Sequence, residues 1–388
     1  MNDLPDEPRQ DFWLEPEHVE LQHHFRRFVT DKLSDIAAKA EKEKRFAREA
    51  FGILRDAGYL AINYPEEVGG GGGDLLSACI YYEELTRASA GLSSGLFAHQ
   101  HLGCGPIFKF GTAEQKEEFL LPGLRGEKIG AFGLTEPDAG SDIRGIKTWA
   151  KADGDDYVLK GSKLYITNGA IADFVLVAAR TGTGRSSDSI TMFVVRSSTK
   201  GFEARELDKL GNYSVSTAFI TLDDVRVHKS SILGEFGRGL AQLKATLTDG
   251  RILVANRGLG LAQLAVDLTV QYAQDRKAFG QPIGKFQGVA FRIAELATQV
   301  DAARMMIYRA ARLRMAGKDC AREASMAKLS SSKAAMDACT SGLLLHGGAG
   351  YMNEMKIAEL YRDAPEAWIG EGTNEIQKLV IARTMGLA

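Results

Sequence analysis

The sequence is poor in cysteine, has no long apolar run and carries no excess charge of either sign. Its 388 residues include four cysteines, Cys79, Cys104, Cys320 and Cys339, which lie far apart and form no CxxC pair. This pattern is typical of reduced thiols rather than of a disulfide framework. No segment approaches the ~18 apolar residues of a membrane span. Residues 1–7 are acidic and lack the basic and apolar regions of a signal peptide. We therefore expect a cytoplasmic protein without membrane insertion.

The balance of charges limits the possible partners. Lys and Arg number 48, Asp and Glu number 50, and the net charge is −2. A nucleic-acid partner is therefore not expected, since such proteins carry clustered positive charge. Hydrophobic residues make up 45% and charged residues 25%, which is typical of a globular protein with a sizeable core. The length allows two or three domains.

Hydrophobic periodicity divides the chain into three blocks. Residues 1–130 are mostly helical, interrupted by five glycines at 69–73 that predict a flexible loop. Residues 131–240 contain short β-branched and aromatic runs that predict an antiparallel sheet domain. Residues 241–388 return to helical periodicity and predict a bundle. The predicted helices are 17–33, 51–57, 75–89, 240–275, 286–316, 321–345 and 373–386. The predicted strands are 129–133, 157–159, 164–167, 174–177, 190–195 and 218–222.

Five segments carry residues suited to chemistry, although each also has a purely structural reading. The run 134–142, LTEPDAGSD, offers hydroxyls and backbone N–H groups that suit a polar ring edge or a phosphate, or it is a structured turn. The run 163–170, KLYITNGA, places Tyr and Thr on one strand face, or it ends an ordinary hairpin. The run 276–287, RKAFGQPIGKFQ, can bind an anion, or it ends a helix. The fourth run is HGGAGY at 346–351, which alternatively is a helix terminator. The fifth is WIGEGTNEIQ at 368–377, which alternatively is a capping turn.

Together, in this order and at these separations, the runs TEPDAGSD, KLYITNG, RKAFGQPIGKFQ and EGTNEIQ resemble the acyl-CoA dehydrogenase family. The resemblance extends from about residue 17 to residue 386. It implies a mostly α-helical protein with a central β domain: an N-terminal α-helical domain at 1–130, a middle β-domain at 131–240 and a C-terminal four-helix bundle at 241–388. This order agrees with the periodicity.

The resemblance also implies FAD as cofactor, bound without a Rossmann fold between the β-domain and the bundle. No GxGxxG motif follows a strand here, which is consistent with that expectation. The family motifs place one set of residues around the flavin and its polar tail: Phe132, Leu134, Thr135, Ser141, Tyr165, Ile166, Thr167, Thr373 and Glu375. They place a second set against the adenine half of FAD in a neighbouring subunit: Arg276, Phe279, Gln287, Leu344, Gly347 and Gly348. A cofactor shared in this way implies a homo-oligomer, usually a tetramer built as a dimer of dimers.

The implied reaction is α,β-dehydrogenation of an acyl thioester. In the family a carboxylate removes the α-proton and the β-hydrogen leaves as hydride to flavin N5. Glu371 matches the usual base, and we expect its burial beside an apolar substrate to raise its pKa. Some members take the base from a bundle helix instead, but the corresponding position here is Gly250. The residues matched to the substrate are Ser141, Thr248, Asp249, Arg251 and Gly372.

Two positions depart from the family pattern. Many members have Asp where Thr248 stands, and the acid lies one place later at Asp249. Many also have Gln where Leu344 stands, so an amide donor and acceptor are missing. These departures are compatible with an unusual thioester carrier, such as an acyl carrier protein.

The resemblance implies an electron-transferring flavoprotein as the electron acceptor. The alternatives are an oxygen-using flavin oxidase or monooxygenase on the same fold, and a catalytically silent thioester-binding or scaffold protein. The histidines at 99 and 101 lack a metal-ligand pattern around them, so no metal is expected. Gly370 adds room beside the base, as a branched or cyclic acyl group would need.

Overall fold

The computed structural model describes residues 13–183 and 189–387. The acidic segment at residues 1–7 lies outside the described residues. The α-helices in the described part are α1 Pro16–Phe28, α2 Ser34–Lys42, α3 Glu49–Asp56, α4 Leu75–Ala88, α5 Ala90–Phe97, α6 Gly105–Phe110, α7 Ala113–Gln115, α8 Leu121–Leu124, α9 Gly239–Asp275, α10 Gln287–Met315, α11 Ala321–Leu345, α12 Lys356–Ile369 and α13 Asn374–Thr384. π-Helical turns at Val29–Leu33, Ala98–Cys104 and Lys116–Leu120 join several of them.

The N-terminal helices pack around α4, which is buried along most of its length. Its first turn is capped by Asp74, whose side chain accepts a hydrogen bond from the Ser77 backbone N–H at 2.8 Å. The glycine run before it is not the flexible loop that the sequence predicts. The N–H groups of Gly71 and Gly73 donate to the carbonyls of Ala61 and Ile62 at 3.0 and 2.8 Å. A side chain at Gly70 would collide with the Tyr64 backbone. Glycine therefore permits close backbone packing here.

The middle of the chain forms a seven-stranded sheet. Its strands are β1 Gly130–Gly133, β2 Trp149–Asp153, β3 Asp156–Thr167, β4 Phe174–Arg180, β5 Ile190–Arg196, β6 Phe202–Glu206 and β7 Thr217–His228. The order is β1-β4-β2-β3-β7-β6, with β5 paired to β4. A short hairpin lies between α9 and α10, and its two strands, β8 Lys277–Ala278 and β9 Gln281–Pro282, have two residues each.

The sheet differs from the predicted antiparallel arrangement in one respect. Most pairs are antiparallel, but β4 runs parallel to β1 and to β2. The predicted runs 157–159 and 164–167 are one strand, because both pair with β7 across irregularities in the register. Strands β2 and β6 were not predicted, since their side chains are mostly exposed and supply few apolar residues.

The C-terminal part consists of the long helices α9, α10 and α11 with the shorter α12 and α13 packed on them. Helix α9 contains 37 residues and buries its central stretch from Ile252 to Ala262. Helix α11 lies against α9, α10 and α12, and small residues such as Ala327 and Ala335 permit the close approach. Helix α12 was not predicted from the sequence.

The helix–sheet–helix order confirms the predicted fold class. One apolar core joins the N-terminal helices to the bundle, and two more lie on the two faces of the sheet. We propose domain boundaries at residues 130 and 240, next to the start of the first strand at Gly130 and of the longest helix at Gly239. Across the described part of the chain, no helix combines the length and the apolar character needed to cross a bilayer.

Candidate active site

The two polar runs of the sheet domain lie side by side. The backbone N–H of Leu164 donates to the carbonyl of Thr135 at 2.8 Å. The Lys163 ammonium donates to Glu136 Oε1 at 2.7 Å and to the Leu134 carbonyl at 3.2 Å. The TEPDAGSD and KLYITNG segments, whose bonded residues lie 27 and 29 positions apart in sequence, are therefore joined by one backbone bond and one buried ion pair.

This ion pair is isolated from water. The side chains of Lys163 and Glu136 are almost completely buried. Burial lowers the pKa of Lys163 to about 8, although the neighbouring carboxylate opposes this effect. Burial alone would raise the pKa of Glu136, but attraction to Lys163 and a hydrogen bond from the Lys147 backbone lower it overall. Removing one partner would leave the other charge buried and uncompensated, so the pair holds the two segments in a defined relation.

The joined segments present an aromatic surface beside polar groups. Tyr165 adopts a left-handed backbone with φ +61°, and its side chain is 67% exposed although it lies within a strand. Thr135 and Thr167 are half-buried, and Ser141 is exposed. An exposed aromatic ring can lie against the flat flavin ring and the hydroxyls can bond its polar edge, so the residues present fit the expected cofactor.

The other residues expected at the flavin divide into two groups. Phe132 on β1 and Leu134 after it are half-buried. The Ile166 side chain is only 3% exposed and packs into one of the sheet cores. That Ile166 lines the flavin stays a prediction; its side chain is buried while that of Tyr165 is exposed.

The residues expected to contact a neighbouring subunit's cofactor gather at one end of the bundle. The Tyr272 hydroxyl donates to the His346 carbonyl at 3.1 Å, and the two rings stack with centroids 4.2 Å apart. This contact brings the segment after α9 next to the loop after α11. The predicted residues on these segments are exposed: Arg276, Phe279, Gln287, Leu344, Gly347 and Gly348. The Phe279 side chain is 96% exposed with φ +50°, and the Leu344 side chain is 69% exposed.

Thr373 and Glu375 have structural roles in this chain. Thr373 is the N-cap of α13, and its hydroxyl oxygen accepts from the Ile376 N–H at 3.4 Å. Glu375 is exposed and pairs with Lys378 at 3.3 Å. The capping interpretation of this turn is therefore confirmed, and contact with the flavin's polar tail stays a prediction for both residues.

Glu371 lies in the short loop between α12 and α13. Its backbone is left-handed, with φ +53°, a conformation that costs a non-glycine residue about 1–2 kcal/mol. The amide of Gln377 donates to the carbonyls of Glu371 and Gly372 at 3.2 and 2.9 Å. On the other side, the Gly370 N–H donates to the Glu366 carbonyl at 2.8 Å. Strain retained in such a loop indicates a functional constraint on where the carboxylate points.

The Glu371 carboxyl is poised to exchange a proton near neutral pH. Burial raises its pKa from 4.5 to about 7, and the nearby Glu366 carboxylate contributes in the same direction. The positive charges of Arg251, Arg257 and Lys328 oppose this rise. Oε2 of Glu371 is buried and has no hydrogen-bond partner among the described residues. A strained loop thus presents a partly protonated, unpartnered carboxyl group, as a general base requires.

Gly250 on α9 faces this carboxylate. A Cβ atom at position 250 would lie 2.9 Å from Glu371 Oε2 and 3.2 Å from His101 Nε2. The Nε2 atom of His101 lies 3.0 Å from the Thr246 carbonyl, and burial lowers the His101 pKa to about 4, so the ring is neutral at pH 7. The carboxylate therefore occupies space that only a glycine at position 250 leaves free.

The remaining residues expected at the substrate lie on α9 and in the loop between α12 and α13. Arg251 follows Gly250; burial lowers its pKa, and its Nε has no partner among the described residues. Asp249 pairs with Lys109 at 2.8 Å and with Arg314 at 2.5 Å. The Thr248 hydroxyl donates to the Lys244 carbonyl at 3.1 Å. The Asp249 oxygens are thus engaged by cations of α6 and α10, and the predicted substrate contacts of these residues stay predictions.

Several residues around Glu371 and its loop were not predicted from the sequence. One of them is Lys328, which donates to the Trp368 carbonyl and to Asn374 Oδ1. Gln377 and His101 are the others. A signal was available for Lys328, because it lies on the apolar face of a predicted helix, beside Ala324 and Ala327, where a lysine needs a partner. No comparable signal identifies His101.

Family models match almost the whole chain. The acyl-CoA dehydrogenase N-terminal domain matches residues 15–127, the middle domain residues 131–225 and the C-terminal domain residues 237–386. Two relatives are similar along nearly their full length. The chain is 39% identical to "Probable acyl-CoA dehydrogenase YngJ" of Bacillus subtilis over 376 residues, covering 96% of this chain and 99% of the relative. It is 41% identical to the mitochondrial short-chain specific acyl-CoA dehydrogenase of Bos taurus over 366 residues, covering 94% and 89%.

Solved structures agree with the family models. Butyryl-CoA dehydrogenase from Megasphaera elsdenii is 37% identical with a TM-score of 0.92, covering 97% of this chain and 99% of that one. A structure on the electron transferring flavoprotein of Acidaminococcus fermentans contains a chain that is 36% identical with a TM-score of 0.93, covering 97% and 99%. The prolyl acyl carrier protein oxidase AnaB is 31% identical with a TM-score of 0.92, covering 96% and 100%. The chain belongs to the acyl-CoA dehydrogenase family and is an FAD-dependent oxidoreductase.

Proposed function

We propose that this enzyme converts an acyl-CoA thioester to the 2-enoyl thioester, with Glu371 as the base that removes the α-proton. The observation that carries the proposal is the carboxyl of Glu371, which is held in a strained loop, has a buried and unpartnered oxygen and has a pKa raised by burial to about 7. At neutral pH a substantial fraction of this group is ionised, yet it remains basic enough to take a proton from carbon.

Two regions of the chain would hold different parts of the cofactor. The segments containing Thr135, Ser141 and Tyr165 would hold the flavin ring. The exposed residues Arg276 and Phe279 of another copy would cover the adenine half. When bound, FAD supplies the two-electron acceptor that removal of a hydride from the β-carbon requires.

The protein must also make the α-proton acidic. This is achieved by donors directed at the thioester carbonyl, where negative charge develops. The backbone N–H of Glu371 has no acceptor among the described residues, so it is free to donate to that carbonyl. The same residue would then polarise the substrate through its backbone and accept the proton through its side chain. Burial makes the Glu371 carboxylate more basic, and Arg251, Arg257 and Lys328 keep it ionisable by opposing that rise in pKa.

We propose a short acyl chain as substrate and an electron-transferring flavoprotein as acceptor. The bovine relative and the Megasphaera enzyme act, by their names, on short-chain or butyryl thioesters. The Acidaminococcus match associates the fold with an electron transferring flavoprotein. The reducing cytosol is the proposed location, because Cys79, Cys104, Cys320 and Cys339 are all free thiols.

A homotetramer is the proposed assembly. Large apolar side chains remain exposed on the bundle, including Phe279, Leu344 and Tyr351, the last with 80% of its surface exposed. Apolar surface of this kind marks an interaction site, and Phe279 and Leu344 are residues expected at a shared cofactor. Light scattering of the purified holoenzyme should give four times the 42.1 kDa chain mass, and a monomer would contradict the proposal.

The experiment for the reaction is an anaerobic titration of the yellow holoenzyme with acyl-CoA thioesters of four to sixteen carbons, following flavin absorbance. We expect butyryl-CoA to bleach the wild type and Glu371→Gln to slow bleaching by at least about 10²-fold, the usual contribution of a general base. Glu203→Gln, which changes an exposed carboxylate on β6, is the matched control and should behave as the wild type. Rapid bleaching of Glu371→Gln would refute the assignment of the base.

A second candidate is dehydrogenation of a carrier-protein thioester with oxygen as acceptor. The similarity to AnaB favours it, as do the departures at Thr248 and Leu344. Holoenzyme that is bleached by an acyl carrier protein thioester but by no acyl-CoA, and that then reoxidises rapidly in air, would support this candidate against the first.

A further inference from the structure

The loop that carries Glu371 needs an external restraint. Gly370 and Gly372 flank the base and, as glycines, have the greatest backbone freedom to lose on ordering. Glu371 itself is held in the left-handed region at φ +53°. Neither α12, which ends at Ile369, nor α13, which begins at Asn374, includes these three residues. Contacts from outside the loop therefore have to keep the carboxylate beside Gly250.

Lys328 on α11 supplies two of these contacts, one on each side of the base. Its ammonium donates to the Trp368 carbonyl at 2.9 Å, three residues before Glu371, and to Asn374 Oδ1 at 3.1 Å, three residues after it. The residue is 1% exposed. We propose that Lys328 is a positioning residue that clasps the two ends of the loop carrying Glu371 and, together with Arg251 and Arg257, favours the ionised form of that carboxyl group.

The clasp is supported by neighbouring polar groups. The Ser332 hydroxyl also donates to Asn374 Oδ1, at 2.9 Å, so the amide oxygen has two donors from one face of α11. Both acceptors of Lys328 are neutral oxygens, and no carboxylate of the described residues is bonded to its ammonium. Its charge is therefore available to act on the carboxylates that surround it at longer range.

The charged groups around Lys328 come from three elements and the loop. Carboxylates are supplied by Glu366 on α12, Glu371 in the loop and Glu375 on α13. Positive charge is supplied by Arg251, and by Arg257, whose guanidinium bonds Glu366 at 2.8 Å. Burial lowers the pKa of Lys328 to about 8, so it is predominantly charged at pH 7. That charge favours the ionised form of Glu371.

Three variants separate the clasp from the charge. Lys328→Met removes both donors and the charge, Lys328→Gln keeps a donor amide without the charge, and Ser332→Ala removes only the second donor to Asn374. Lys328→Gln should fold because it stays polar and hydrogen-bonded. Retained flavin absorbance identifies folded holoenzyme in each case.

The expected result is a loss of turnover together with a shift in pH dependence. For Lys328→Met we expect kcat to fall by about 10- to 100-fold with KM changed less than threefold, because misplacement of a reacting group mainly slows the chemical step. The acid limb of kcat/KM should move to higher pH by about 0.5 to 1 unit, because a cation that stabilises ionised Glu371 is gone. Lys328→Gln should show the pH shift with a smaller fall in kcat, and Ser332→Ala should show no pH shift.

Amide hydrogen exchange gives a readout independent of turnover. In the Lys328→Met holoenzyme, residues 369–373 should exchange at least tenfold faster, while α9 and α11 keep their protection. If Lys328→Met and Lys328→Gln both keep the wild-type acid limb and loop protection, the inference is wrong. A uniform loss of thermal stability without either change would show a merely structural lysine.

This inference rests on the proposed role of Glu371, but the two fail in different ways. If Glu371→Gln keeps its activity, the proposed function itself is wrong. If Glu371→Gln is inactive while the Lys328 variants behave as the wild type, only the clasp is wrong.

Discussion

Replacing Gly250 with alanine tests whether the free space beside Glu371 controls catalysis. The new Cβ would lie 2.9 Å from Glu371 Oε2, closer than carbon and oxygen normally approach when not bonded, so the oxygen has to move by about 0.5 Å. The atom that must move is the end of a flexible side chain, so the displacement costs little folding energy. It does shift the base relative to the α-carbon.

Gly250→Ala should lower activity without lowering stability. A 1 Å misplacement costs about 10²-fold in rate, so about half that distance should lower kcat about tenfold, or ~1.4 kcal/mol in activation free energy. Stability should not fall, because alanine is favoured over glycine by up to about 1 kcal/mol inside a helix. Position 250 lies well within α9. The contact of the new Cβ with the His101 ring at 3.2 Å offsets part of that gain.

The assay compares the rate of flavin reduction and the unfolding free energy of Gly250→Ala holoenzyme with those of the wild type. Gly52→Ala in α3 is the matched control, because its nearest atom outside the adjacent residues is the Arg55 guanidinium at 3.9 Å. It should gain stability and keep kcat. A Gly250→Ala enzyme with kcat within twofold of the wild type would refute the confinement of the carboxylate. A loss of more than about 2 kcal/mol in stability would refute the claim that the carboxylate absorbs the clash.

Three further predictions follow from buried charges. Because the Glu371 pKa is raised to about 7, kcat/KM should fall about tenfold per pH unit below pH 6 and level off above pH 8, and a limb near pH 4.5 would contradict this assignment. Burial and two neighbouring carboxylates raise the pKa of Asp363 to about 8; its protonation therefore stabilises the fold at low pH, and this stability is lost as the pH rises from about 4 to 8. Asp363→Asn should thus be more stable relative to the wild type at pH 8 than at pH 5, by about 1–3 kcal/mol in urea unfolding, and equal differences at both pH values would contradict it. Lys163→Met leaves the Glu136 carboxylate buried and unpaired, which should cost about 3–5 kcal/mol and release FAD on dilution, whereas Lys163→Met,Glu136→Gln should recover much of the loss.

Local patterns predicted the long elements well and the edge strands poorly. The boundaries of α9, α10 and α11 differ from the predicted helices by one residue at most, because long apolar periodicity is a strong signal. Strands β2 and β6 escaped because their side chains are mostly exposed. The prediction of a flexible loop at 69–73 was wrong, because backbone N–H groups of this run donate hydrogen bonds to the carbonyls of Ala61 and Ile62. No local sequence pattern reveals these contacts.

Local patterns also did not predict which side chains of β3 are buried. Ile166 was selected for the flavin because its neighbours in the KLYITNG run match the family. The structure buries its side chain in a sheet core, whereas Tyr165, left-handed at an irregularity of β3, is exposed. Lys163, within the same run, received no role, yet it ties two segments together through Glu136. Which face of a strand is buried depends on what packs against it.

The sequence by itself determined the family, the helix–sheet–helix order and the identity of Glu371 as the candidate base, because these follow from residue types at characteristic spacings. Only the tertiary structure decided the proton affinity and the position of that base. Gly250, Lys328 and Arg251 lie 43 to 121 residues from Glu371 in sequence, yet they border its carboxylate or its loop. Burial and Coulomb interactions depend on distances in space, so the pKa and the strained geometry of Glu371 arise only when the bundle helices bring these residues together.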